Sequence, residues 1–194
     1  MKGHKSGDRE NEIKLAVGNV AAGRRLLRAG GFRVAKPRVF ESNLVLDTPD
    51  HAILHSGGLL RLRLVKRHGV LTFKGPADAD SPHKSREEVE SEVSDPEATR
   101  AIIEHLGYRQ AFRYDKFRTE FERPGERGTA TLDETPAGVY VELEGSPRWV
   151  DRTARRLGFS PKDYITISYG RIWSEYCAAR GGPMGDMVFP SRRT

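Results

Sequence analysis

The sequence lacks long apolar runs and has very little cysteine. Its 194 residues include one cysteine, Cys177, which excludes an internal disulfide and a zinc site built on cysteine ligands. No run reaches the roughly 18 apolar residues that a transmembrane helix needs, so no such helix is expected. The opening residues, MKGHKSGDRENE, carry no apolar stretch after their basic residues, and no secretory leader is expected. These absences predict a cytoplasmic protein in a reducing compartment, without a membrane partner.

Charged residues, by contrast, are abundant. Lys and Arg number 33 against 27 Asp and Glu, a formal net charge of +6 that fits either a well-solvated surface or an anionic partner. The length and a hydrophobic content of 37% predict one domain with a core of ordinary size. Because residues 1–9 and 179–194 are polar or rich in glycine and proline, we expect them to be tails that flank a domain over residues 10–178.

Most of this domain alternates apolar and polar residues, which is the period of a β-strand. The clearest case is LLRLRLV over residues 59–65, and His68 with Gly69 then predicts a hairpin turn. The predicted strands are residues 10–17, 38–46, 59–65, 70–74, 85–93, 112–122, 129–133 and 139–144. The predicted helices are residues 19–28, 97–106, 150–157 and 161–180. Because strands and helices do not alternate strictly, the order favours a mainly antiparallel α+β protein.

The polar faces of these strands are almost purely charged. Residues two apart in a strand point the same way, so Arg61 and Arg63 share one face. The other charged positions on such faces are Glu10, Glu12, Lys14, Lys74, Arg86, Glu88, Glu90, Lys116, Arg118, Asp133, Glu142 and Glu144. An antiparallel sheet with one solvated face produces the same alternation, and so does a barrel with a charged interior.

Eight strands are enough to close a barrel that holds one small ligand. If the charged faces point inward, their charges must pair with one another or with bound ions, because burying them unpaired is prohibitive. Carboxylate oxygens suit Mg²⁺ or Mn²⁺, whereas converging Arg and Lys side chains suit phosphate oxygens. A polyphosphate with its divalent cation would satisfy both sets.

The charged motifs resemble, in chain order, those of the CYTH superfamily, the triphosphate tunnel metalloenzymes. Glu10-x-Glu12-x-Lys14 resembles the ExExK motif of that family. The further matching segments are the turn Asp47-Thr48-Pro49, the strand motifs Arg61-x-Arg63, Leu71-Thr72-Phe73-Lys74-Gly75, Arg86-x-Glu88-x-Glu90, Lys116-x-Arg118, Leu132-Asp133 and Val141-Glu142-Leu143-Glu144-Gly145, and the C-terminal pair Ser168-Tyr169. The resemblance implies an eight-stranded antiparallel β-barrel, a tunnel with helices packed outside.

The same resemblance implies a division of roles inside the tunnel. The cations expected to bind substrate phosphates and to carry catalysis are Lys14, Arg61, Arg63, Lys74, Arg86, Lys116 and Arg118. The acids expected to hold Mg²⁺ or Mn²⁺ are Glu10, Glu12, Glu142 and Glu144. Asp133, Glu88 and Glu90 are expected to be further ligands or to contact the residues that bind the ion. The expected partner is a small molecule that contains a triphosphate, and a homodimer stays open.

The motifs leave the reaction open. Proteins that this chain resembles hydrolyse inorganic, thiamine or nucleoside triphosphates, and others are class IV adenylate cyclases that convert ATP to cyclic AMP and pyrophosphate. We expect a triphosphatase, with the cyclase as the alternative. A second alternative is a non-catalytic module that binds polyphosphate or RNA. Nucleic acid is the less favoured partner, because the basic residues share their faces with carboxylates instead of alternating with exposed aromatic residues.

Overall fold

A computed structural model describes residues 9–78 and 82–190, with the side chains of residues 9 and 10 left out. Within these residues the chain forms eight strands that close into one barrel. They are β1 (Arg9–Val17), β2 (Arg33–Asp47), β3 (Leu59–Val65), β4 (His68–Lys74), β5 (Lys84–Val93), β6 (Arg109–Glu122), β7 (Gly128–Thr135) and β8 (Gly138–Gly145). Their order around the barrel is β1-β5-β4-β3-β2-β6-β7-β8, and each neighbouring pair is antiparallel. The predicted fold is therefore confirmed.

Helices lie outside this barrel, and polar side chains define where most of them begin. They are α1 (Val20–Ala29), α2 (Ala52–His55), α3 (Pro96–His105), α4 (Pro147–Arg156) and α5 (Tyr169–Ala178). The side chains that accept a hydrogen bond from a first-turn amide belong to Asn19, Asp95, Ser146 and Ser168. Such side chains satisfy amide groups that have no partner within the helix. No helix among the described residues is long and apolar enough to cross a membrane.

The hydrophobic core lies between the barrel and these helices. Leu132 and Leu143, on the outer faces of β7 and β8, are fully buried against α1 and α4 together with Leu27 and Trp149. A second cluster joins the outer face of β2 and β3 to α3 through Ile103. Because Leu132 and Leu143 take the outer face of their strands, the charged residues that alternate with them point into the barrel.

Two local predictions were wrong. His68 and Gly69 do not form the hairpin turn, because His68 pairs with Val65 and the turn falls at Lys66, which has φ 55°. The predicted helix over residues 161–180 is interrupted, because Ile165 pairs with the backbone of Lys14 through two hydrogen bonds of 2.9 Å. The pairing of β1 with β5 ends at Glu12, so Ile165 satisfies the next stretch of that strand edge.

Part of the segment after α5, expected to be a tail, packs on the barrel. Met187 is fully buried, its amide donates to the Arg113 carbonyl at 2.9 Å, and its carbonyl accepts from the Asp115 amide at 2.8 Å. The pairing of β7 with β6 begins only at Phe117, so Met187 covers a stretch of β6 edge that β7 leaves open. The Asp186 carboxylate also accepts from the Arg113 amide at 2.7 Å.

This packing predicts that the C-terminal segment contributes to stability through Met187. Met187→Ala should lower the free energy of unfolding by about 2–5 kcal/mol, the usual cost of emptying a buried methionine site. Met184 lies in the same segment but is 52% exposed, so Met184→Ala should change it by less than about 0.5 kcal/mol. Urea unfolding of both variants measures the difference, and equal effects would contradict this packing.

Candidate functional site

The barrel encloses a cavity of about 590 Å³ lined by side chains of both charges. This volume lies within the roughly 300–1,000 Å³ typical of small-molecule sites. The predicted site residues on its wall are Glu12, Lys14, Arg61, Arg63, Lys74, Arg86, Glu88, Glu90, Lys116, Arg118, Glu142 and Glu144. Asp133 is fully buried behind the wall. Glu10 lies in β1 opposite Arg86, but its side chain is outside the described part of the chain.

Strand alternation is what brings these side chains together. On β6, every second residue from Phe112 to Glu120 lines the cavity, so one strand carries an aromatic, a cationic and an acidic section. Lys14 on β1 lies directly opposite Glu142 on β8. Neighbouring strands therefore set opposite charges side by side across the wall.

A first cluster centres on the carboxylate of Glu12. Lys14 Nζ lies 3.0 Å from Glu12 Oε1 and 3.6 Å from Glu142 Oε2. Lys84 Nζ donates to the same Glu12 oxygen at 2.9 Å. Burial alone would raise the pKa of Glu12, but the charges of Lys14 and Lys84 outweigh it and hold that pKa well below its usual range. Glu12 is therefore an ionised carboxylate between two ammonium groups.

A second cluster centres on Asp133, which anchors two of the predicted phosphate-binding cations. Its carboxylate accepts from Lys116 Nζ at 2.8 Å and from Arg118 Nε at 2.7 Å. The Tyr169 hydroxyl donates to it at 2.8 Å. Burial alone would raise the pKa of Asp133, but the charges of Arg118 and Lys116 outweigh it and hold that pKa far below its usual range. Asp133 therefore positions Lys116 and Arg118 from behind the cavity wall.

On the opposite wall, Arg61 and Arg63 of β3 are held more loosely. The Arg61 guanidinium donates to the Tyr114 hydroxyl at 3.4 Å and to Thr72 Oγ1 at 3.3 Å. Arg63 Nη2 lies 3.7 Å from Glu90 Oε1, beyond hydrogen-bond distance. Burial raises the pKa of Tyr114, but the nearby charge of Arg61 outweighs it and the net shift is downward. Among the described residues, Arg61 and Arg63 therefore have carboxylate neighbours but no bidentate carboxylate hydrogen bond.

Asp47, from the turn Asp47-Thr48-Pro49, binds backbone amides. Its carboxylate accepts from the amides of Thr48 at 2.8 Å and of Ile53 and Leu54 at 3.0 Å each. These bonds outweigh the effect of burial and lower the pKa of Asp47. They also hold α2 beside the barrel, so that Leu54 lines the cavity.

Sequence reasoning missed Lys84 and Glu41. Lys84 lines the cavity, and burial lowers its pKa to about 8 despite the opposing charge of Glu12. The sequence could have predicted Lys84 as a cavity residue, because it lies two residues before Arg86 and therefore on the same face of the strand. Glu41 is buried with Oε2 at 3.7 Å from Lys116 Nζ, and no neighbouring motif pointed to it.

Two buried carboxylates could hold a divalent cation if a bound molecule supplied the remaining ligands. No three Asp, Glu, His or Cys side chains within the described residues are grouped to hold a metal ion by themselves. Glu12 and Glu142 are both buried, and Lys14 lies between them. Mg²⁺ is usually bound by one or two carboxylates together with substrate phosphates, and two carboxylates meet that need.

Comparison with known proteins places this chain in a family. A family model described as the CYTH domain matches residues 8–169. The chain belongs to the CYTH family. A curated protein of Methanocaldococcus jannaschii, "Putative adenylate cyclase MJ0240", is 28% identical over 138 residues, which cover 71% of this chain and 77% of that protein.

Solved structures share the CYTH fold of the chain. A Vibrio parahaemolyticus protein described as a putative adenylate cyclase aligns with TM-score 0.73 and 24% identity, over 87% of this chain and 99% of that one. PH1012 from Pyrococcus horikoshii OT3 aligns with TM-score 0.69 and 24% identity, over 82% and 96%. HpAC1 from Hippeastrum, described as a putative adenylyl cyclase with a dominant triphosphatase activity, aligns with TM-score 0.63 and 18% identity, over 90% and 97%.

The Glu12 cluster yields a stability prediction. The sequence alone suggests that removing one carboxylate relieves repulsion, but the structure shows Glu12 paired with Lys14 and Lys84. Glu12→Gln should therefore lower the metal-free free energy of unfolding by about 3 kcal/mol, as expected for breaking a buried ion pair. The exposed pair of Glu122 with Arg33 supplies a control, since Glu122→Gln should cost less than about 1 kcal/mol.

The sign of the pH dependence follows from the lowered pKa of Glu12. Its stabilising contribution is present above the ordinary carboxyl range and is lost as the pH falls through the lowered folded-state pKa. The difference in unfolding free energy between wild type and Glu12→Gln should thus shrink on acidification. Chemical unfolding at several pH values measures it, and a difference that grows in acid would contradict the assignment.

Proposed function

We propose that the protein is a divalent-metal-dependent triphosphatase that binds the phosphate chain of its substrate inside the barrel. The observation that carries this proposal is the enclosed cavity in which seven predicted cations face the buried carboxylates of Glu12 and Glu142. Such a cavity matches a linear polyanion accompanied by a cation. An exposed basic surface, as an RNA-binding module needs, is not what these residues form.

The cations fall into two groups that differ in how firmly neighbouring carboxylates hold their side chains. Lys116 and Arg118 are fixed by Asp133 and offer a preorganised wall, so they need little rearrangement when a phosphate arrives. Arg61 and Arg63 lie across the cavity, and Arg63 has its nearest carboxylate at 3.7 Å. We expect phosphate oxygens to bridge the two walls, with Lys14, Lys74 and Arg86 completing the contacts.

Glu12 and Glu142 would hold the Mg²⁺ or Mn²⁺ ion. Glu144, two residues after Glu142 on the same face of β8, would be a further ligand. When bound, the ion neutralises charge on the phosphate oxygens during phosphoryl transfer. Lys14 lies between these two carboxylates, and with an ion held there its ammonium would be available to a phosphate oxygen. Glu88 and Glu90 pair with Lys74 and Arg63, so we assign them to positioning these cations.

Adenylate cyclase is the second candidate, favoured by the description of the Methanocaldococcus jannaschii relative. The two reactions differ in the attacking group, which is water in hydrolysis and the ribose 3′-hydroxyl of ATP in cyclisation. Proteins with this fold carry descriptions of both kinds, so the fold does not separate them. A cytoplasmic location and a homodimer stay predictions.

Product analysis tests the reaction. Purified protein should release orthophosphate from at least one of ATP, inorganic triphosphate and thiamine triphosphate in the presence of Mg²⁺ or Mn²⁺, and EDTA should abolish turnover. Cyclic AMP from ATP would establish the cyclase instead. Binding without turnover would support the non-catalytic alternative, and full activity in EDTA would remove the metal from the proposal.

Arg63 offers a test of the phosphate contacts. Arg63→Ala should lower kcat/KM by a factor that corresponds to about 2–4 kcal/mol, because it removes a charge from a largely desolvated site. Arg63→Lys should recover only part of this loss, since an ammonium group cannot reproduce the planar guanidinium. Arg33→Ala, at an exposed strand end, is the control and should leave kcat/KM unchanged. An unaffected Arg63→Ala enzyme would place the phosphates elsewhere.

A further inference from the structure

The positive charge of the chain is concentrated on two helices outside the barrel. Besides one acidic residue, Asp151, α1 and α4 together carry seven arginines, which are Arg24, Arg25, Arg28, Arg148, Arg152, Arg155 and Arg156. Their surplus of six positive charges equals the formal net charge of the whole chain. None of these arginines lines the cavity, so the proposed triphosphate site makes no use of them.

The seven arginines form one surface, which we call the arginine face. Both helices contact β1 and β8, and they meet where they end, since a Cβ added at Gly30 would lie 2.6 Å from Leu157 Cδ2. The sides of the helices that face the barrel hold the buried residues Gly23, Leu27, Val150 and Ala154. The arginines take the remaining positions, so they lie on the outer side of both helices.

Several of these arginines have no partner within the protein. Arg25, Arg28 and Arg148 are exposed and form no hydrogen bond or ion pair with the rest of the described chain. On other helices, exposed arginines are paired along the helix, as Arg171 is with Glu175 at 2.9 Å. Pairing of opposite signs is typical of a helix face that only meets solvent. The arginine face departs from that pattern, because its charges are available to an external anion.

The acidic residue beside these arginines does not neutralise them. The Asp151 carboxylate lies 2.8 Å from His83 Nε2 and accepts from the Tyr164 hydroxyl at 3.0 Å. Asp151 is thus engaged by residues outside the two helices.

The remaining residues of α1 and α4 narrow the class of anion. None of the large apolar side chains that the described chain exposes belongs to either helix, so the apolar half of a membrane-binding surface is missing. Trp149, the one aromatic residue of the two helices, is 3% exposed and cannot stack on the bases of a single strand. Thr153, their one side chain with a hydroxyl or amide group, is fully buried. The 2′-hydroxyls of an RNA duplex would therefore find no such partner on either helix.

We propose that the arginine face binds the phosphate backbone of double-stranded DNA, independently of base sequence. Guanidinium groups suit this ligand, because each can donate two parallel hydrogen bonds to one phosphate. Nucleic acid was the less favoured partner for strands on which cations and carboxylates share a face. That objection does not apply to α1 and α4. The binding lies outside the barrel and goes beyond the proposed function.

The dimensions of the arginine face agree with such a ligand. Each helix has ten residues and is therefore about 15 Å long. Duplex DNA carries about one negative charge per 1.7 Å of its axis, so this length lies along roughly nine phosphates. The arginines can thus each reach a phosphate without bending the duplex.

The experiment measures the affinity of the full chain for a short fluorescent DNA duplex by anisotropy, at several salt concentrations. Wild type should bind with a dissociation constant on the order of 1–100 μM, and the affinity should fall steeply with salt. Replacing Arg25 and Arg148 together by Gln should weaken binding about tenfold at low salt. It should also reduce the slope of log affinity against log salt by about 2, one for each lost phosphate contact.

A control variant removes the same charge elsewhere. Arg67→Gln with Arg180→Gln changes two exposed arginines at the β3–β4 turn and after α5, and it should leave DNA binding within about twofold of wild type. The Arg25 and Arg148 variant should keep the kcat/KM of wild type for triphosphate hydrolysis. At matched ionic strength, inorganic triphosphate with Mg²⁺ should not displace the DNA.

Four results would overturn the inference. They are no binding of duplex DNA at low salt, equal weakening in the two double variants, displacement of the DNA by inorganic triphosphate, and binding as tight or tighter to duplex RNA, single-stranded DNA or anionic phospholipid vesicles. Each of these results leaves the triphosphatase proposal as it stands, because that proposal is tested by product release in the same preparation.

Discussion

The structure depends on charge neutralisation inside a closed barrel. Asp133 is fully buried, and it is tolerated because Lys116, Arg118 and Tyr169 satisfy its oxygens. Glu142 links this cluster to the next, since it pairs with Arg118 on one side and with Lys14 on the other. The same ion pairs line the cavity, so the groups that neutralise the interior are also the groups proposed to bind the ligand.

This interior determines the rest of the architecture. With charges inside, many apolar strand residues face outward, and two core clusters form where helices cover them through Trp149 of α4 and Ile103 of α3. The backbone edges that the barrel leaves open are covered separately, by Ile165 on β1 and by Met187 on β6. The apolar contribution to stability thus comes from the outer layer, while the interior is lined by paired charges.

The period-two pattern predicted most strands to within a few residues, since Arg61 and Arg63 alternate plainly with Leu60, Leu62 and Leu64. It does not say which face points inward, and the resemblance to a known family supplied that choice. The contacts of Met187 and Ile165 escaped prediction because isolated backbone pairing carries no periodic signal. The anchoring role of Asp133 escaped it too, because the sequence shows a carboxylate on the charged face but not how deeply it is buried.

The proposed position of the phosphate chain within the cation cluster is tested most directly by comparing the affinities for inorganic triphosphate, pyrophosphate and orthophosphate. These ligands share their chemistry and differ only in how many cations they reach at once. With Mg²⁺ held constant, calorimetry should show affinity falling about tenfold or more for each phosphate removed, since a hydrogen bond to a charged group contributes about 1.5–3 kcal/mol. Equal affinities for the three ligands would contradict the account.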